Sequence, residues 1–234
     1  FFALIVAAFS TGLSKDLSDR KIISFFEDVA LSWSAPYNLS RKDQSRCKKI
    51  DGDVKIFLQG YWDAWPKSLA QQVVYDFNSL TDSNITFTNE KEYCNFYISI
   101  GMNGYERPDG IKISNFSNYD AFIDDLGYDF KINSGIGFIN EKHKNHKTAF
   151  KFYLYRTIAV HLGFTNFANY SGESIFSNSP FQRFSPQSSD IEYQLSEIDM
   201  IIFKLLYQKE IKKGMTSYEV IRTIRENNLI KKVK

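Results

Sequence analysis

Apolar residues recur at helical spacing in several stretches of this chain and at strand-like spacing in others. From Ser18, a favourable N-cap, the helical spacing continues to Leu31 and predicts a first amphipathic helix. Pro66 opens a second predicted helix. The apolar face of that helix comprises Leu69, Val73, Phe77 and Leu80. Residues 148–162 predict an aromatic-rich helix that ends at Gly163.

Two more helices are predicted after residue 195. Ser196 opens the first of them. Its strongly apolar stripe comprises Ile198, Ile201, Ile202, Leu205 and Leu206. Thr216 and Glu219 form a capping-box pattern before the second helix, which continues to Arg225.

The segments between the helices carry strand patterns. Strands are predicted at residues 53–59, Ile85–Thr88, 95–100 and, as an edge strand, 135–140. The segment Tyr119–Leu126 predicts a short helix that Gly127 stops. Because helices and strands alternate, the pattern favours an α/β fold with a twisted, mainly parallel mixed sheet and a mostly helical C-terminal part.

Length and charge limit the interpretation further. At 234 residues the chain is long enough for one well-buried core, and we expect a single domain over residues 18–234. Its 29 Lys and Arg against 27 Asp and Glu give a net charge of +2. This small net charge gives no argument for a nucleic-acid partner.

Residues 1–17 form a separate segment in this interpretation. The stretch FFALIVAAFSTGL at residues 1–13 is apolar, too short to span a bilayer comfortably, and typical of the apolar core of a secretory signal. We therefore expect an exported protein, with possible membrane contact through this segment. A buried first helix is the alternative.

The two cysteines bear on the same question. Cys47 and Cys94 each stand before a predicted strand, VKIFL and FYISI respectively. If those strands are parallel neighbours, a disulfide is geometrically possible, and export would supply an oxidising environment. We expect the bridge, and two free buried thiols are the alternative.

The sequence RTIAVHLGFTN at residues 156–166 resembles the zinc helix of metzincin peptidases, most closely those of the matrixin type. That helix carries HExxHxxGxxH, in which three His hold zinc and Glu is the general base. When Gly163 is aligned with the glycine of the family motif, other residues stand at the positions of all three zinc ligands and of the general base. The residues at these positions, in chain order, are Arg156, Thr157, Val160 and Asn166.

Downstream landmarks extend the resemblance. SGESIFSN at residues 171–178 is similar to the family's Met-containing turn, with Phe176 at the Met position, and LSEIDMIIFKLLY at residues 195–207 resembles the closing helix. The motifs HLGF, ESIFSN and LLYQKEIKKGM are also similar to a poorly characterised family of exported bacterial proteins with a metzincin-like framework. This resemblance implies a zincin-like fold and an exported location, without a settled activity.

The substituted positions argue against peptidase chemistry. A fixed cation at Arg156 repels zinc and offers it no lone pair, and Val160 has no lone pair at all. Without a carboxylate at Thr157, no general base is present to activate a bound water. We therefore predict no catalytic residues, no metal ligands and no cofactor.

Other residues offer weaker alternatives. His161 lies about 100° around the helix from the ligand positions, and we expect it to be a structural histidine favoured by the helix dipole. His143 and His146 have a spacing that suits one metal ion, but the surrounding lysines favour a solvated loop. Candidate binding aromatics follow the strand that ends near Gly60, although core packing is the better expectation for most of them. They are Tyr61, Trp62 and Trp65.

Three hypotheses for the function follow. The favoured one is an exported, non-catalytic pseudo-peptidase that binds another protein or an envelope polymer through its former cleft or the surrounding surface. The competing one is a divergent metal-dependent hydrolase that draws ligands from His143, His146, His161 or nearby carboxylates. The third is a structural subunit of an extracellular assembly, which retains the apolar segment.

Overall fold

A computed structural model describes most of the chain. The described residues are 17–32, 45–60, 64–81, 83–100, 104–106, 112–114, 119–143, 146–166, 168, 174–177 and 193–234. The predicted signal-like segment lies outside them, apart from Leu17.

A mixed sheet of six strands occupies the centre of the fold. Its strands are β1 (Lys49–Ile50), β2 (Val54–Gly60), β3 (Ile85–Thr88), β4 (Phe96–Ile100), β7 (Tyr119–Leu126) and β8 (Lys131–Ile139). The order is β1-β8-β4-β2-β3, and β7 also pairs with β8. All pairs are parallel except β7 with β8. Two short strands, β5 (Gly104–Glu106) and β6 (Lys112–Ser114), form a separate antiparallel pair. The predicted α/β class with a mostly parallel mixed sheet is confirmed.

The helices begin close to their predicted capping residues. They are α1 (Asp19–Phe26), α2 (Ala64–Leu80), α3 (Lys147–His161), α4 (Glu197–Leu206), α5 (Ser217–Glu226) and α6 (Leu229–Val233). A π-helical turn at Glu27–Leu31 continues α1, and short 3-10 turns occupy Lys91–Tyr93 and Glu141–His143. Ser18 caps α1, and complete capping boxes open α4 and α5 at Ser196 and Thr216. The cap patterns therefore predicted these three helix starts correctly.

The prediction of a helix at Tyr119–Leu126 is wrong. This segment is the antiparallel strand β7, which a tight turn joins to β8. Phe122 and Ile123 are both buried although they are consecutive, so the strand has apolar contacts on both faces. A strand buried on both faces lacks strict alternation, and its pattern resembles a helix.

The predicted edge strand at residues 135–140 is in fact an interior strand, because β8 is bordered along this stretch by β4 on one side and by β7 on the other. Its glycines are explained by close packing. A Cβ atom added at Gly135 would overlap the ring of His161, and one at Gly137 would overlap Cγ2 of Thr157. The glycines thus allow α3 to lie directly on the strand.

Residues 45–47 pair with the chain after α4. The Cys47 amide donates to Met215 O at 2.8 Å, the Gly214 amide donates to Cys47 O at 2.8 Å, and Arg46 forms a β-bridge with Thr216. Lys213 forms ion pairs with Asp51 and Asp129 at 3.2 and 2.8 Å. The basic segment that ends in Gly-Met therefore acts as a clamp on the start of β1.

The predicted disulfide is not formed, because Cys47 and Cys94 are free cysteines. Cys47 precedes the short strand β1 instead of β2, and β1 pairs with β8 at Lys131 and Ile132, whereas β4, which Cys94 precedes, pairs with β8 from Gly135 onward. Each cysteine stands two residues before its strand, so the four-residue offset along β8 separates them by roughly 13 Å. A disulfide requires Cα atoms within about 7 Å of each other.

The thiols should differ in reactivity. Burial raises the pKa of the Cys47 thiol to about 12, whereas Cys94 is partly exposed. We expect iodoacetamide to modify Cys94 first in the native protein, and Cys47 only after unfolding, because the thiolate is the reactive form. Peptide mass mapping checks the order. If reduction raised the intact mass by 2 Da, about one hydrogen for each thiol, the protein would instead contain the predicted disulfide.

Candidate functional site

The zinc-helix positions lie on α3 and in the turn that follows it. Gly163 ends this helix with a φ of +107°, a conformation that favours glycine. A Cβ atom at Gly163 would also overlap the carbonyl oxygen of Lys48. The predicted helix and its glycine turn are confirmed, and the turn directs the chain toward Asn166.

Arg156 is buried, with 5% of its surface exposed. Its Nη2 atom donates a hydrogen bond to Ser177 O at 3.4 Å, and its guanidinium lies over the Phe152 ring, 5.2 Å from the centroid. The side chain at the first ligand position therefore connects α3 to the turn at residues 174–177.

The other three positions contact different parts of the fold. Thr157 is fully buried against Gly137 of β8, and Val160 is also buried. The Asn166 amide group donates to Asp28 O at 3.2 Å and to Ser32 Oγ at 2.6 Å. Thr157 and Val160 are thus packed in the interior, and Asn166 ties the chain after α3 to residues 28 and 32.

The turn at residues 174–177 lies against α3 and the chain that follows it. Phe176, at the Met position, is buried among three rings that come from three other parts of the chain. Their centroids lie 5.3 to 6.3 Å from its own, and they belong to Phe25, Phe164 and Phe203. The Ala168 amide donates to Phe176 O at 3.0 Å. An aromatic cluster therefore supports this turn.

Asp199 of α4 fixes the other side of the turn. Its carboxylate accepts hydrogen bonds from Ser174 Oγ at 2.6 Å and the Ile175 amide at 3.2 Å. It also accepts from the Ser196 amide and hydroxyl at 3.2 and 2.7 Å. Burial nevertheless raises the pKa of Asp199 to about 6. The sequence offered a signal for this residue in the Ser-x-x-Asp capping box, but its contact with the turn was not predicted.

Replacing Asp199 should loosen the turn. Asp199→Ala leaves two buried and two partly buried donors without their acceptor, and we expect a loss of roughly 3 kcal/mol in the free energy of unfolding. Urea unfolding measures this loss. Met200→Ala is the matched control, because Met200 is the next residue of the same helix and is exposed. Equal losses in the two variants would contradict the role of Asp199.

His161 lies on the side of α3 that faces the sheet. Its ring is fully buried 4.4 Å from that of Phe96, in the space that Gly135 leaves open. Burial lowers the pKa of His161 to about 4, and the backbone of Ile136 opposes this shift in part. The expectation that the helix dipole favours a protonated His161 is therefore wrong, because desolvation outweighs the dipole.

His143 and His146 are in different environments. The ring of His143 is buried 4.5 Å from that of Tyr153, and burial lowers its pKa to about 4. His146 is exposed at the start of α3. The expectation of a solvated loop is thus wrong for His143. Across the described part of the chain, no group of three His, Cys, Asp or Glu side chains is placed to hold a metal ion.

The candidate binding aromatics cannot be placed at a site. Tyr61 and Trp62 lie outside the described residues. Trp65 lies in the first turn of α2, but its side chain is outside the described part.

Comparison with known proteins adds no relative. No protein-family model matches the chain, and no curated protein matches it. Within the ranges that the structure describes, no helix has the length and apolarity that a membrane crossing requires. The fold and its contacts therefore carry the functional argument.

The buried His161 predicts a stability that depends on pH. Its pKa is lower in the folded state, so the unfolded state binds more protons and stability falls as pH decreases from about 6.5 to 4. His161→Leu should remove up to about 3 kcal/mol of this dependence. Urea unfolding of the wild type and of His161→Leu across this pH range measures the difference in their free energies of unfolding. Contributions from other groups are common to both proteins and cancel in that difference. The exposed His146→Leu is the control, and an unchanged slope in His161→Leu would refute the prediction.

Proposed function

We propose that this chain is an exported, non-catalytic relative of metzincin peptidases, with a binding or structural role at the cell envelope or outside the cell. The order of elements supports the resemblance. A helix with a glycine turn, an aromatic-supported turn at residues 174–177 and the closing helix α4 follow one another and are in contact. The mixed sheet is compatible with the implied zincin-like framework.

Arg156 is the observation that carries the non-catalytic part of the proposal. Its guanidinium occupies the first ligand position and bonds to the carbonyl of the turn that the family places beneath zinc. A cation without a lone pair does not fit a zinc ion. Val160 has no donor atom, and the amide of Asn166 is engaged with residues 28 and 32. The residues present therefore do not fit the family metal.

The contacts around α3 keep the framework intact, and this supports a role in binding. Thr157 and Arg156 keep the helix attached to the sheet and to the turn without the metal that joins these parts in the peptidases. A framework maintained in this way can serve binding through the surface around it. Another protein or an envelope polymer is the proposed partner of that surface.

The metal content of the protein tests this proposal. After growth with added zinc, the purified wild type should contain close to no zinc by plasma mass spectrometry and should cleave no peptide substrate. About one zinc per chain, lost in His161→Ala, would overturn the proposal in favour of a divergent metal hydrolase.

Restoring the motif tests the framework itself. The combined changes Arg156→His, Thr157→Glu, Val160→His and Asn166→His should create measurable zinc affinity, although activity need not follow without the groups that orient such ligands. The matched control keeps Val160 and makes the other three changes, and it should bind zinc about tenfold or more weakly. A folded four-residue variant without any zinc affinity would reject the resemblance.

A further inference from the structure

Positive charge is concentrated in one part of the chain. Residues 204–234 contain nine Lys or Arg and three Glu, a net charge of +6, whereas the whole chain carries +2. This segment includes the last turn of α4 and all of α5 and α6. Its surface therefore attracts anionic groups, while the rest of the chain is slightly acidic.

An open groove of about 490 Å³ lies where this segment meets α1. Three isoleucines from three helices line it: Ile23, Ile224 and Ile230. Ile224 and Ile230 are buried, with 1% and 4% of their surface exposed, so they form a recessed apolar floor. Arg20, Arg225 and Lys231 line the same groove and are exposed.

The acidic side chains of the groove already have partners. Asp19 forms an ion pair with Lys234 at 3.1 Å, and Glu27 accepts a hydrogen bond from Ser217 at 2.7 Å. Among the described residues, none forms an ion pair with Arg20, Arg225 or Lys231. The groove therefore presents three available cations around an apolar floor.

We propose that this groove binds an acidic peptide segment of a partner protein, with aliphatic side chains between its carboxylates. The isoleucine floor suits an aliphatic side chain, and the two guanidinium groups bind carboxylates in a bidentate manner. A membrane fits less well, because side chains that insert into lipid project from a surface and these isoleucines are recessed. Nucleic acid fits less well because none of the described residues that line the groove is aromatic, and base stacking requires aromatic side chains.

This inference goes beyond the proposed function. No residue of α3 lines the groove, so peptide binding here does not depend on the former zinc position. The zinc measurements and the peptide measurements can therefore fail independently of each other.

Fluorescence anisotropy with the full chain tests the proposal. The probe is a fluorescein-labelled 14-residue peptide of Glu and Leu, and its counterpart has Gln in place of every Glu. We expect saturable binding of the acidic peptide, weakened by salt, and at least about tenfold weaker binding of the Gln peptide.

Variants locate the binding on the surface. Reversing three groove charges in Arg20→Glu, Arg225→Glu and Lys231→Glu should weaken binding by about tenfold or more, since each exposed ion pair contributes modestly. Lys204→Glu, Lys209→Glu and Lys212→Glu change the net charge equally at exposed positions outside the groove, and should change affinity less than about twofold.

Ile23→Ser tests the apolar floor, because it keeps every charge and should also weaken binding. Thermal melts verify that each variant is folded, and Arg225→Gln replaces the triple variant if that one unfolds.

Three outcomes would overturn the proposal. The first is no saturable binding at millimolar peptide, and the second is an equal loss in the groove variant and the control variant. In the third, the protein does not bind the peptide but binds vesicles of phosphatidylglycerol and phosphatidylcholine, and the groove variant weakens that binding. This result would assign the groove to a lipid surface.

Discussion

Helix α3 is buried on all sides, and the rest of the structure is arranged around the contacts that this burial requires. Every residue from Phe150 to His161 is buried. On the sheet side, only glycine fits at two positions of β8. On the opposite side, the cost of burying a guanidinium is reduced by the Ser177 carbonyl and the Phe152 ring. The turn at residues 174–177, and through it Asp199, is thus connected to the same helix.

Local signals in the sequence were sufficient for most of the helices, although the short last helix α6 was not predicted. Caps at Ser18, Ser196 and Thr216 predicted where α1, α4 and α5 begin, because a cap and the apolar spacing after it are properties of a few adjacent residues. Strands failed where their environment is set by distant residues. Strand β7 is apolar on both faces, and β1 has only two residues, too few for any pattern. The wrong prediction of the disulfide followed from the failure to predict β1, because Cys47 was then assigned to the start of β2.

The site was predictable in outline and not in its contacts. The spacing from Arg156 to Asn166 singled out four positions, and the structure shows the environment of each of their side chains. Its partners come from the first helix, from β8 and from residue 177, and no local pattern specifies such pairings. The burial of His143 has the same origin, because Tyr153 approaches it from two turns into α3. The groove likewise joins Ile23 to residues some two hundred positions later.

The clamp by residues 213–216 and the contacts of Lys234 have a consequence for the order of assembly. Lys234 Nζ donates to Leu17 O at 2.7 Å. The Cys47 amide donates to Met215 O, and the Gly214 amide donates to Cys47 O. Helix α1 and the start of the sheet therefore complete their contacts only when residues 204–234 are present. During synthesis, which proceeds from the N-terminus, the early segments emerge well before residues 204–234. Contacts between segments about two hundred residues apart are costly to form, because closing so long a loop removes conformational entropy, and they follow the local helices.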